Sequence, residues 1–256
     1  MRPTPSARLL VLGILAWAAM SAAAAPPQSW TARYPLPAGG QVAVANVQGS
    51  IEVEGWDRAE VELTVTTSGG GEEAGPGDVA IQVEPQGNSL RVRTLYPRET
   101  ESPVQVDYRL RVPRQVRLQD LRTVSGDITV RNVEGPVEAH TLSGDIEQTG
   151  VAGSVLAQTV NGNVSVFLRA LPEPGDRGEV RLETINGDLY LLLPDQAEAD
   201  LELSTVAGRI ESEMLFLAGG PGDANTLRTR LGRGGTPVRL RTIRGDIHVA
   251  AGEDLL

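Results

Sequence analysis

Glycine recurs every nine residues along one stretch of the chain, at Gly126, Gly135, Gly144, Gly153 and Gly162, and that spacing leaves few folds open. The flanks agree better at twice the step. Thr123-Val124-Ser125-Gly126-Asp127-Ile128 returns as Thr141-Leu142-Ser143-Gly144-Asp145-Ile146 and again as Thr159-Val160-Asn161-Gly162-Asn163-Val164. A unit of about 18 residues with two strands and two glycine bends is one coil of a solenoid, which buries its apolar face only by stacking on the next. Further copies stand at Thr184-Ile185-Asn186-Gly187-Asp188-Leu189, Thr205-Val206-Ala207-Gly208-Arg209-Ile210 and Thr242-Ile243-Arg244-Gly245-Asp246-Ile247, with a degenerate one at Thr229-Arg230-Leu231-Gly232.

Alignment on the glycine shows the columns that stacking would build. Threonine stands three residues before it in all six good copies, and the following residue is always aliphatic (Val124, Leu142, Val160, Ile185, Val206, Ile243). Two residues after the glycine comes Ile128, Ile146, Val164, Leu189, Ile210 or Ile247, and five before it Leu121, Ala139, Ala157, Leu182, Leu203 or Leu240. Alternation with polar residues such as Arg122, His140, Gln158, Glu183 and Arg241 predicts aliphatic columns inside and polar columns outside. The adjacent threonine and aliphatic positions break strict alternation, so a bend is predicted there, with one of the two turned along the corner. Glycine at the next corner supplies a positive φ, and a threonine column can pass hydrogen bonds from coil to coil. The period predicts parallel, in-register pairing of Ile128 with Ile146 and of Ile146 with Val164.

The first 24 residues read as a secretory signal peptide. Arg2 and Arg8 precede an apolar run from Leu9 to Met20, and Ala22-Ala23-Ala24 fits a small-residue cleavage site. That run is too short for a bilayer span, which needs about 20 residues, and no later segment is apolar enough for one. Residues 25–118 read as an N-terminal β-strand region, either the first irregular coils or a cap. Its strands are expected at Val42 to Val53, Val61 to Val65, Val79 to Glu84, Leu90 to Thr94 and Val104 to Val112, with a glycine-rich loop from Ser68 to Asp78. Residues 119–250 are the repeat body and 251–256 a tail. Leu171 to Arg177 reads as a loop inserted into one coil, because omitting it restores the nine-residue step, and Ala218 to Asn225 reads as a second one. No stretch carries a helical period.

A chain with net charge −10 and no cysteine has no disulfides and is a poor partner for nucleic acid or anionic lipid. Asp127, Asp145, Asp188 and Asp246 follow the repeat glycine and raise the question of a calcium ladder. The column is broken by Ser50, Asn163 and Arg209 and only Asp127 and Asp145 are clear neighbours, so these aspartates read as turn caps, with no metal or cofactor expected. Arg244-Gly245-Asp246 spells an integrin tripeptide but sits at one more repeat bend. His140 and His248, the only histidines, fall at positions predicted to face solvent. Without cysteine, a nucleophile-elbow serine or a ligand cluster, nucleophilic and metal catalysis lack parts, and no catalytic residue is assigned. The nearest approach to an acid–base pair is Asp127 and Asp145 with Arg122 or His140, which keeps a carbohydrate-active lyase or glycosidase-like β-helix as the alternative.

The T-x-[SN]-G-[DN]-[IV] copies resemble the bacterial putative-adhesin family of β-strand repeat proteins, a domain of unknown function. The start Val47-Gln48-Gly49-Ser50-Ile51-Glu52-Val53-Glu54-Gly55-Trp56-Asp57 is similar to that family's opening. So is the ending from Leu231 to Leu240, and the resemblance spans roughly Val42 to Val249. It implies an exported right-handed β-solenoid and brings no catalytic residues. The expectation is therefore an all-β chain: a short right-handed parallel β-helix of about seven coils with an irregular N-terminal β region. Its expected role is that of a non-enzymatic envelope module, periplasmic or on the cell surface, offering a flat polar face to a protein or glycan partner.

Overall fold

Every rung of the stack uses one short strand on each of two opposed sheets, with a corner between them. The computed structural model describes residues 28–69, 79–96, 104–172, 178–212 and 225–252. In the repeat body the rungs are β8 (Val116–Arg122) with β9 (Ile128–Arg131), β10 (Val137–His140) with β11 (Ile146–Ala152), β12 (Val155–Gln158) with β13 (Val164–Ala170), and β14 (Val180–Glu183) with β15 (Leu189–Leu193). Ile146 pairs in parallel with Ile128 on one side and Val164 on the other, as the period of 18 predicts. No helix occurs among the described residues.

Aliphatic side chains at alternate positions fill the space between the sheets. Leu121, Ile128, Val130, Val137, Ala139, Ile146, Val164, Leu182, Leu189 and Leu240 are almost fully buried in one continuous core. Gln148 is the exception. It stands in register with Val130 and Val166, is fully buried, and neither amide atom has a hydrogen-bond partner among the described residues.

At the N-terminal end, β2 (Gly40–Ala45) and β3 (Ile51–Trp56) form a rung on β8 and β9. The chain then passes outward through β4 (Glu60–Ser68), β5 (Ala80–Gln86), β6 (Ser89–Leu95) and β7 (Gln105–Pro113). β6 and β7 add a parallel rung outside β2 and β3. Beyond them, β5 pairs antiparallel with β6, β4 antiparallel with β7, and β1 (Gln28–Pro35) antiparallel with β4. The β5–β6 turn is tight: strand continues through Gln86, and Gly87 follows with φ 55.

The C-terminal end departs from sequence order. β16 (Ala199–Ser204) and β17 (Ile210–Ser212) do not stack on β14 and β15; β19 (Thr236–Arg241) and β20 (Ile247–Ala251) lie between. β18 (Thr226–Leu231), which holds the degenerate repeat copy, pairs antiparallel outside β16. The loop expected from Leu171 to Arg177 is corrected at its start: Leu171 packs on the core and Pro172 is buried. Residues 173–177 lie outside the described residues, as do the signal segment and most of both glycine-rich loops.

Candidate functional site: the repeat corner and its flanks

The corner between the two sheets is where the repeat motif folds, and its chemistry is the same in all six repeat copies. Backbone bridges join Gln48 to Ser125, then Ser143, Asn161, Asn186, Arg244 and Ala207 in turn. Each threonine points inward, and its hydroxyl donates to the glycine carbonyl of the preceding rung. Thr141 Oγ1 reaches Gly126 O at 3.1 Å, Thr159 reaches Gly144 O at 3.0 Å, Thr184 reaches Gly162 O at 2.9 Å and Thr242 reaches Gly187 O at 3.0 Å. A buried carbonyl needs a donor, and an aliphatic side chain has none to give. Threonine therefore takes the inward place, and its aliphatic neighbour is turned out.

Of the two adjacent positions between which the predicted bend falls, it is therefore the aliphatic one that turns along the corner. Val47, Val124, Leu142, Val160, Ile185, Ile243 and Val206 follow one another along the corner, and each of the first six accepts a backbone hydrogen bond from the rung beyond. Six of the seven are exposed, Leu142 by 49% and Val206 by 62%, and Val160 is half-buried. Seven rungs about 4.8 Å apart make an apolar ridge about 29 Å long. Isolated surface aliphatics are ordinary, whereas a contiguous exposed file marks a contact surface.

The glycines are fixed by stacking more than by their backbone angles. Gly144 has φ 148, but a Cβ there would also lie 2.1 Å from Gly126 O. Gly208 has no left-handed φ, yet its Cβ would lie 1.9 Å from Gly245 O.

One residue beyond the glycine, the carboxylates cap the next turn. Asp127 Oδ1 accepts from the Asp145 backbone N–H at 2.8 Å, Asp145 Oδ1 from Asn163 N–H at 2.7 Å, and Asn163 Oδ1 from Asp188 N–H at 2.8 Å. Asp188 Oδ1 accepts from Asp246 N–H and Asp246 Oδ1 from Arg209 N–H, both at 2.7 Å. Asp188 thus has Asp246 as its neighbour, not Arg209, because the last rung is inserted. Among the described residues no cluster of three or more acidic, histidine or cysteine side chains could hold a metal. The Arg244-Gly245-Asp246 bend is tied down on both sides, with Arg244 Nη1 donating to Asn186 Oδ1 at 2.7 Å.

The groups nearest to an acid–base constellation are split by the corner. Arg122 and His140 are register neighbours between β8 and β10, whereas Asp127 and Asp145 precede β9 and β11 on the other sheet. On that sheet's outer face Tyr190 and His248 stack with centroids 4.8 Å apart, and His248 Nδ1 lies 3.4 Å from Glu211 Oε2. Sequence spacing alone gave no sign of this stack, since it depends on the inserted rung.

A groove of about 410 Å³ is lined by Trp56, Arg58, Asp57, Arg114, Gln115 and Glu134. Arg58 lies over the Trp56 ring at 4.9 Å, and Arg114 Nε donates to Asp57 Oδ1 at 2.7 Å. At the N-terminal end a buried polar cluster takes over the threonine position. Asn46 Nδ2 donates to Val106 O at 2.7 Å, Thr94 Oγ1 donates to Asn46 Oδ1 at 2.9 Å, and the Thr94 and Tyr108 hydroxyls lie 2.6 Å apart. Burial pushes the Tyr108 phenol up to about 12.

With that geometry established, comparison with known proteins places the chain. The Toastrack DUF4097 description matches residues 40–250. The chain belongs to this family. The assignment agrees with the resemblance carried by the six repeat copies, and the Toastrack domain is a β-solenoid-like fold. No curated protein matches the chain. Among solved structures, the chain is similar to a putative cell adhesion protein from Clostridium sporogenes, at 10% identity over 88% of this chain and 100% of that one, with TM-score 0.49. It is similar also to a putative adhesin from Bacteroides fragilis, at 12% identity over 88% and 97%, with TM-score 0.40. A third is a putative lipid binding protein from Parabacteroides distasonis, at 13% identity over 88% and 97%, with TM-score 0.31.

Proposed function

We propose that this Toastrack chain is an exported, non-enzymatic β-solenoid that binds a protein partner at the cell envelope through its corner ridge. The observation that carries this is the unbroken file of outward aliphatics, Val47, Val124, Leu142, Val160, Ile185, Ile243 and Val206, edged by serine and asparagine. Aliphatic contacts drive association without chemistry, and the polar edge supplies hydrogen bonds that fix register. In this reading residues 1–24 direct export and are removed, 25–118 form the N-terminal β region, and 119–250 form a right-handed body within about seven coils. The flat polar face anticipated from sequence is replaced by a ridge with polar flanks. A glycan partner is the second reading, favoured by the Trp56 groove, where an indole edge and several charged groups share one concave place.

The test is the double variant Leu142→Glu/Ile185→Glu, checked for an unchanged circular-dichroism spectrum and used beside the native protein in capture from envelope fractions. A partner retained by the native chain and lost by the variant supports the ridge. Equal capture by both moves attention to the Trp56 groove, which Trp56→Ala would then address. Turnover of a uronic-acid polymer by the native chain would replace the binding role with the enzymatic alternative.

A further inference from the structure

The outer face of the second sheet carries a basic depression that plays no part in the ridge. It measures about 260 Å³ and is lined by Arg91, Arg93, Arg122 and Asp120 over a floor that includes Ala43 and Ala45. The hollow exists because β2 places two alanines between longer side chains: Ala43 stands beside Arg91, and Ala45 beside Arg93 and Arg122, in parallel register.

Three features set this place apart from the rest of the surface. First, carboxylates occupy most of the other arginines. Arg33 pairs with Glu62, Arg109 with Glu52, Arg114 with Asp57 and Arg228 with Glu202. Arg91 and Arg93 have no ion pair or hydrogen-bonded side-chain partner among the described residues. Glu84, which faces Arg91 across the hairpin, is instead hydrogen-bonded by Gln82 Nε2 at 2.8 Å.

Second, the β8 backbone is distorted here. The register with β2 shifts between Val42 and Val44, so that Gln119 and Asp120 together oppose Ala43. Asp120 has φ 59, a left-handed conformation rare for a residue with a side chain. The bulge lets Leu118 and Leu121 both stay buried while turning Asp120 outward, where its Oδ2 lies 3.5 Å from Arg122 Nη1. Bulges of this kind re-aim side chains at binding sites, and a held left-handed residue is local strain that the fold retains.

Third, the charges converge. Three guanidinium groups and one carboxylate leave the lining with two excess positive charges, in a chain whose formal net charge is −10. Guanidinium forks match planar or tetrahedral oxyanions, and a phosphate monoester carries about −1.5 to −2 at neutral pH. A depression of this size holds one such group with a small substituent and little more.

We propose that this depression binds a phosphate monoester, with Arg91 and Arg93 contacting the phosphate oxygens and Asp120 positioning Arg122. The ester can be soluble or borne on a lipid headgroup, and the measurement separates the two. Isothermal titration uses inorganic phosphate and glycerol 3-phosphate as soluble probes. A second arm uses flotation with phosphatidylcholine vesicles, alone or containing phosphatidic acid.

The variants are Arg91→Gln/Arg93→Gln and, as a control at an exposed arginine outside the depression, Arg241→Gln. Arg241 is exposed and lies on the same row as Arg122, four rungs away through His140, Gln158 and Glu183. The native chain is expected to bind the soluble probes, with the double variant weakened more than tenfold and Arg241→Gln unchanged. Flotation with phosphatidic acid vesicles, lost in the same variant, would assign the site to a lipid-borne ester. Absence of binding in both arms, or equal weakening by Arg241→Gln, overturns the proposal. Because the ridge is untouched by these substitutions, envelope capture by the double variant tells failure of this site from failure of the ridge.

Discussion

Replacing Gly144 with alanine tests whether rung stacking or backbone angle dictates glycine at the corner. The added Cβ would sit 2.1 Å from Gly126 O, where real Cβ atoms stay beyond 3.0 Å. Packed rungs cannot absorb that overlap without parting locally by about 1 Å. Three bonds span the gap: Thr141 Oγ1 to Gly126 O at 3.1 Å, Asp145 N–H to Asp127 Oδ1 at 2.8 Å and Gly126 N–H to Ser143 O at 2.9 Å. At about 0.5–1.5 kcal/mol each, and about 1–3 kcal/mol where a buried group is left unpaired, their loss amounts to about 3–5 kcal/mol. Gly87→Ala is the control. Gly87 has φ 55 but nothing within 4 Å of an added Cβ, so only the left-handed strain of about 1–2 kcal/mol applies. Gly208→Ala separates the causes from the other side, having the close approach without the left-handed φ. Urea unfolding followed by circular dichroism gives the three stabilities. If Gly144→Ala and Gly208→Ala cost no more than Gly87→Ala, stacking is not what excludes a side chain, and the account of the corner fails.

Ile146→Ala should cost about 2–5 kcal/mol in the same assay, since it opens a cavity between two fully buried rungs. Asp145→Asn should stay within about 0.5 kcal/mol, because Asn163 already performs the identical cap one rung on; a larger loss would give the carboxylate charge a role of its own. Gln148→Val should stabilise the chain by about 1–3 kcal/mol, because it removes two buried amide atoms that have no partner among the described residues, and a destabilised variant would refute that balance. For Tyr108, the folded-state phenol is raised to about 12 from 10.0 by burial, so its contribution is intact below pH 10. As pH rises from 10 to about 12 the unfolded chain ionises first and stability falls, a decline that Tyr108→Phe should reduce.

The period of nine and eighteen made the parallel rungs legible, because a strand's inward positions are fixed once the repeat glycine is aligned. Ile128, Ile146 and Val164 pair as their spacing requires. What the repeat did not reveal was which of two adjacent residues turns inward at the corner. Hydropathy favours the aliphatic, yet the buried glycine carbonyl favours threonine, and the hydrogen bond decides. The ridge was therefore only half legible: the bend was, the residue it turns outward was not. The basic depression was beyond reach for a different reason: Arg91 and Arg93 of β6 meet Arg122 of β8 only because β2 lies between those strands, and the bulge at Asp120 has no local signature. The order of the last rungs was equally hidden, since copies of one motif stack on each other in any sequence order.

That inserted order has a consequence for the ridge. A solenoid must close its ends, or apolar rungs and unpaired strand edges remain open to further stacking. At both ends this chain runs outward and then returns, so that later strands slip between earlier ones; antiparallel β1, β5 and β18 finish three sheet ends and parallel β17 the fourth. The finishing strands are dressed with charge: Arg228 and Arg230 of β18 pair with Glu202 and Asp200, and Arg33 of β1 pairs with Glu62. Closure by a separate cap would have cut the corner file short. Closure by insertion extends it, because Ile243 arrives between Ile185 and Val206 with the same inward threonine and the same outward aliphatic. The terminal rungs therefore retain the full corner motif although their neighbours in space are not their neighbours in sequence. A purely structural end would need the glycine and the threonine but would gain nothing from an exposed Val206, which solvation disfavours. Its presence on the last rung is in keeping with the contact role proposed for the ridge.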